Sequence, residues 1–166
     1  AQLRSYYLDR NRFDGSESEA MAIGGSVGFK TGYFRNRFSL GATAFTSQRL
    51  YGPEDEGGTN LLAPVQQGYT VLGELYGQYR VSDGIMIDLG RKGINTTFIN
   101  ESDSRMTPNT FQFAALQGEK VNSNGTSLLR FGLGYVDKIK EQTSEKFISM
   151  ATAAGVAKGI DRGVYV

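Results

Sequence analysis

Apolar residues recur at every second position along several stretches of this chain. The clearest runs from Ala20 to Tyr33, with Met21, Ile23, Val27, Phe29 and Tyr33 on one face and Ala22, Gly24, Ser26, Gly28 and Lys30 on the other. A period of two marks a β-strand whose faces meet different surroundings. Phe38, Leu40, Ala42 and Ala44 then alternate with Arg37, Ser39, Gly41 and Thr43. The next strand sets Tyr69, Val71, Leu75 and Tyr79 against Thr70, Glu74, Tyr76, Gln78 and Arg80, with Leu72 out of step. Ile85, Ile87 and Leu89 alternate with Met86, Asp88 and Gly90, and a less regular strand covers Phe111 to Gly118. Leu129, Phe131, Leu133 and Tyr135 close the series against Arg130, Gly132, Gly134 and Lys138. The first segment, Leu3 to Arg10, reads as a strand by its Tyr and Leu content, although neither face is cleanly apolar.

The connections alternate in length. Phe34–Arg35–Asn36, Ser82–Asp83–Gly84 and Asn122–Ser123–Asn124–Gly125 are tight turns, whereas 49–67, 91–110 and 139–163 are long and polar. The last of these carries a helix signal over Glu145–Ala154, with Gly155 suited to the position just past its end. This rhythm predicts an all-β fold, an up-and-down antiparallel transmembrane barrel with lipid outside and water inside. About seven strands are legible, with the start of another at Gly163–Val166, whereas single-chain bacterial barrels carry an even number of about eight or more. Open edges in hydrocarbon leave backbone groups unpaired. The expectation is therefore that residues 1–166 form the N-terminal part of a single longer barrel. Tyr33, Phe38 and Tyr79 at one end, with Tyr69 and Tyr135 at the other, are expected to form two interfacial girdles on the outer face.

Composition narrows the chemistry. Among 166 residues there is no Cys and no His, which removes disulfides, N/S zinc sites, thiol nucleophiles and His-based triads. Catalytic, cofactor and metal sites are expected to be absent, and the chain is not expected to be an enzyme. A net charge of +1 is too balanced for a nucleic-acid surface. No apolar run reaches the ~18 residues of a membrane helix, and no charged-then-apolar leader is present. A mean hydropathy of −0.34 does not oppose a barrel, because half of each strand and every loop face water. Two decoys fall away. The segment 24–31 suggests a phosphate loop, but its Lys does not follow Gly and it alternates as a strand. Glu54–Asp55–Glu56 is a solvated loop before it is a cation site.

With the apolar face outward, the lumen receives Lys30, Arg37, Arg80, Arg130, Lys92 and Lys138, together with Glu74 and Asp88. A column of cations lowers the barrier for an anion entering a narrow pore. Lys30, Arg37 and Arg80 lie close to short turns and read equally as interfacial anchors.

Segment 100–111, Asn-Glu-Ser-Asp-Ser-Arg-Met-Thr-Pro-Asn-Thr-Phe, resembles the loop signature of the OprD family of outer-membrane porins, an Asp-x-Arg-x-x-Pro-x-Thr-Phe run ahead of a strand. Segments 3–7, 38–43, 46–48, 57–62, 71–74, 147–150 and 153–155 resemble the same family, in family order and across nearly the whole chain. The resemblance implies a barrel of about 18 strands in the bacterial outer membrane, of which this chain would form the first two-fifths or so. It implies passive passage of small water-soluble solutes, carboxylates or amino acids, through a narrow lumen. The loop 91–110 would fold inward as the constriction, with Asp103 and Arg105 narrowing the pore or tying the loop to the wall. Short turns would then lie on the periplasmic side. The expected partners are outer-membrane lipid and small anionic or zwitterionic solutes, in a monomer or trimer. The alternative is a soluble or membrane-anchored β-sheet binding protein without channel activity.

Overall fold

The computed structural model describes residues 1–156 and 162–166. Among these residues, long antiparallel strands follow one another in chain order: β1 (Gln2–Asn11), β2 (Glu17–Lys30), β3 (Phe38–Tyr51), β4 (Tyr69–Ser82), β5 (Ile85–Lys92), β6 (Thr110–Val121) and β7 (Ser127–Lys140). Two short strands, β8 (Ile148–Ser149) and β9 (Val164–Tyr165), both pair with β7. The sheet curls as part of a barrel wall, which is the expected all-β architecture. The 157–161 part of the last long loop lies outside the described residues. The helix expected over Glu145–Ala154 shrinks to α1 (Met150–Ala153), because β8 occupies the residues before it. Ser149 caps it by accepting the Thr152 N–H at 3.1 Å, and Gly155 follows with φ 73°.

At one end the connections are 31–37, 83–84 and 122–126; at the other they are 12–16, 52–68, 93–109 and the segment after β7. The short turns are built by their own residues. Arg35 and Asn36 both take positive φ, and the Asn122 side chain accepts the backbone N–H groups of Asn124 and Thr126. The end that carries the long loops also has one short one, 12–16. There Asp14 accepts from the Ser16 backbone and hydroxyl, as its side chain favours in turns.

Cross-strand register separates two faces. One carries Val27, Phe29, Leu40, Leu75, Leu89, Leu116 and Leu133, all large and exposed. Both 52–68 and 93–109 fold onto the other. Leu61, Leu62 and Met106 cover Ala20 and Ala22, whereas Ile99 packs with Phe111, Phe113 and Val136. Small wall residues leave room for these loops, so among the described residues the second face has a core and the first has none.

Bulges correct the sequence reading at Gly73 of β4 and at Asp137 of β7. At Thr43/Ala44 the register skips Gly73, so a bulge there lets both Leu72 and Leu75 face outward. Tyr69 and Val71, paired with Ser47 and Phe45, consequently face inward rather than outward. Tyr69 is therefore no girdle residue. Tyr33 is not one either, since its hydroxyl turns to the inner Gln78 (3.5 Å) and Met86 (3.8 Å). Tyr7 and Tyr51 take the outer position at the long-loop end, aligned through Met21. Tyr79, Phe38 and Tyr135 remain outward as expected.

Candidate functional site

The face onto which the long loops fold carries most of the charged side chains singled out from the sequence, some beside those loops and some toward the short-turn end. Asp88, on β5, is buried between Gln78 of β4 and Gln117 of β6, whose amide groups donate at 2.8 and 2.7 Å. Lys92 stands further along the same strand, 4.0 Å from Asp88 Oδ2 and 5.0 Å above the Tyr76 ring. Glu74 accepts the Thr43 hydroxyl at 2.6 Å and the Gly93 N–H at 2.9 Å. It thereby holds the first residue of the inward loop, a structural task as much as an electrostatic one.

Toward the short-turn end, Arg80 stacks its guanidinium 4.4 Å from the Tyr33 ring and donates to Asn36 Oδ1 at 2.8 Å. Lys30 lies 5.8 Å from the same ring. Two cations thus share one aromatic ring, which favours them through its quadrupole. Arg80 and Arg130 line one hollow of about 430 Å³ with Met86, Gln117 and Glu119. Arg130 is paired there, Nε to Glu119 Oε1 at 2.7 Å across β6 and β7.

Two residues leave the expected column. Arg37 donates to the hydroxyl of Tyr79, which faces outward, at 3.3 Å. Lys138 lies beyond a bulge at Asp137 and pairs with Gln112, which in turn pairs with Arg91 opposite outward Leu75. The extra residue reverses the alternation that the sequence assigned to it.

The inward loop is fastened along its length. Asp103 meets Arg4 of β1 in a two-pronged ion pair at 2.5 and 2.6 Å, and the Arg105 carbonyl accepts from the same guanidinium at 2.8 Å. The Arg105 guanidinium donates to the Ser104 carbonyl at 3.1 Å. Further on, Tyr69 donates to the Gln142 carbonyl at 2.6 Å and its oxygen lies 3.0 Å from the Thr107 hydroxyl. The Lys140 ammonium donates to Thr107 at 3.1 Å, and Gln142 reaches back to the Ser102 carbonyl. The sequence pointed to Asp103 and Arg105 but not to Arg4, Tyr69, Thr107 or Gln142. A contact 99 residues apart leaves no local pattern, and the Gly73 bulge disguised the facing of Tyr69.

Removing the Tyr69 hydroxyl keeps its ring among Phe45 and Val71 but takes a partner from the Gln142 carbonyl and from Thr107. Tyr69→Phe is expected to cost about 1–3 kcal/mol, read as a lower urea midpoint. An unchanged midpoint would show that the network carries no weight.

A family description matches the whole chain: the outer membrane porins of the OprD family, over residues 1–166. No curated protein matches it. Solved structures share its fold. OccAB2 of Acinetobacter baumannii superposes with a TM-score of 0.75 at 19% identity, over 87% of this chain and 37% of its own. A BenF-like porin from Pseudomonas fluorescens Pf-5 gives 0.73 at 18%, over 87% and 38%. OccK8 (OprE) of Pseudomonas aeruginosa gives 0.68 at 18%, over 87% and 34%. The chain spans little more than a third of each of these proteins. By the match along its full length, this chain belongs to the OprD family of outer membrane porins.

Proposed function

We propose that this chain forms part of the wall and the inward constriction of a passive channel for small water-soluble solutes, carboxylates or amino acids among them. The observation that carries the reading is the division of faces. One face offers a continuous surface of exposed Leu, Val and Phe, and the other carries Lys92 beside a loop folded across it and Lys30, Arg80 and Arg130 toward the short-turn end. A soluble sheet would bury the first face, whereas a lipid-facing wall requires it.

The charges favour anions unequally. Lys92 is offset by Asp88 and Arg130 by Glu119. Among the described residues, Lys30 and Arg80 meet neutral partners, Tyr33 and Asn36. Their field is therefore the larger contribution to selectivity on this stretch of wall. In planar bilayers under a salt gradient, the porin that carries this chain is expected to prefer anions. Arg80→Gln is expected to lower the anion-to-cation permeability ratio by about twofold, more than Arg130→Gln does. Absence of conductance in any salt would overturn the channel reading, and cation preference in the parent protein would overturn the assignment of the charges.

A further inference from the structure

We infer that Arg4 is a positioning residue that sets the aperture by clamping the tip of the inward loop, an inference that rests on the channel reading above. The loop 93–109 has apolar anchors on both flanks: Ile94 and Ile99 join the cluster of Phe111, Phe113 and Val136, and Met106 joins that of Leu61 and Leu62. Between them, Asn100–Arg105 contains no apolar side chain. That stretch turns at Ser102, which has φ 49° and donates its N–H to Asn100 Oδ1 at 2.6 Å, and the Ser104 N–H closes the turn on the Ser102 carbonyl at 2.8 Å. Among the described residues, polar contacts alone fix where this tip sits.

Arg4 supplies the charged ones. Its guanidinium donates to Asp103 Oδ1 and Oδ2, to the Arg105 carbonyl at 2.8 Å and to Gln2 Oε1 at 2.8 Å. Its side chain is only 15% exposed and its prongs are committed to fixed groups, so it is a poor handle for a passing solute. A planar fork that grips a carboxylate with two prongs and a carbonyl besides cannot be copied by an ammonium. On the opposite side, Gln142 just beyond β7 holds the Ser102 carbonyl. Among the described residues the tip is thus suspended between the first strand and the segment after β7, and Arg4 is the stronger of these two holds.

The test uses the full porin in outer-membrane preparations and bilayers, with Arg4→Gln, Arg4→Lys, Asp103→Asn and the exchanged pair Arg4→Asp/Asp103→Arg. Asp103→Asn leaves the strand untouched and guards against a folding defect in β1. Deuterium uptake by the backbone amides of 100–105 is expected to accelerate about tenfold in Arg4→Gln and Asp103→Asn, as the tip opens more often. Current traces should pass from one level to several, with open-channel noise up by about twofold. Arg4→Lys should fall between, and the exchanged pair should move both readings back toward the parent. Unchanged uptake, or faster uptake with an unchanged trace, would overturn the inference. A parent protein silent in bilayers would instead overturn the channel reading and the aperture with it, and uptake would then report the clamp alone.

Discussion

Replacing Leu133 with lysine is expected to destabilise the porin by about 2–4 kcal/mol, whereas the same replacement one residue earlier, at Gly132, should change stability by less than about 1 kcal/mol. Leu133 lies midway along β7, pairs with Leu116 and is 65% exposed on the apolar face. In a soluble sheet a lysine there would be harmless or would aid solubility. In lipid the ammonium must leave water at the depth where its hydration matters most. Gly132 pairs with Gln117 on the other face, and a Cβ at that position meets nothing nearer than the Leu116 carbonyl at 3.9 Å. The inner face has water for the charge and space for the stem. Urea titrations of both variants in detergent or bilayers would separate the two. Equal tolerance would remove the argument that this face contacts lipid.

The second large effect is expected at Gly25. Its φ is 140°, which L-residues rarely adopt, and a Cβ there would lie 2.0 Å from the Gln2 carbonyl oxygen of β1. Neighbouring Gly24 would place its Cβ 2.0 Å from the Thr46 carbonyl of β3. The two glycines let β2 turn its backbone so that successive Cα hydrogens point sideways at the neighbouring strands. The obstacle in each case is backbone within a sheet, which cannot swing aside. Strain of about 1–3 kcal/mol from the dihedral and a comparable amount from overlap put Gly25→Ala at roughly 3 kcal/mol or more. Gly57→Ala, with nothing within 4 Å of the added carbon, is the matched control and should be close to neutral. Gly25→Ala with the same unfolding midpoint as Gly57→Ala would sink the account.

Most of the strands were legible because their alternation is strong wherever one face is apolar and the other small or polar. The run Met21, Ile23, Val27, Phe29 lies outward as read, as do Leu129, Phe131, Leu133 and Tyr135. Errors cluster where an extra residue interrupts the period. Gly73 and Asp137 each reverse the parity between the residues on either side of them, and Tyr69 and Lys138 were misassigned for that reason. Leu72, out of step in the pattern, was the visible trace of the first bulge. Nothing comparable marks the second. Tyr33 escaped for another reason. It lies past the end of β2, where side-chain direction is no longer dictated by the pleat, and its ring turns in to meet Arg80 and Lys30.

The sequence by itself determined the strand order, the turns and the division into an apolar and a charged face, because these depend on neighbours in the chain and on a period of two. Only the tertiary structure decided which charges meet neutral partners and which are matched, and what holds the inward loop. Arg4 and Asp103, or Tyr69 and Gln142, approach one another only after the sheet has curled and the loop has folded across it. Pairing energy of that kind depends on distance in space, and separation along the chain carries no information about it.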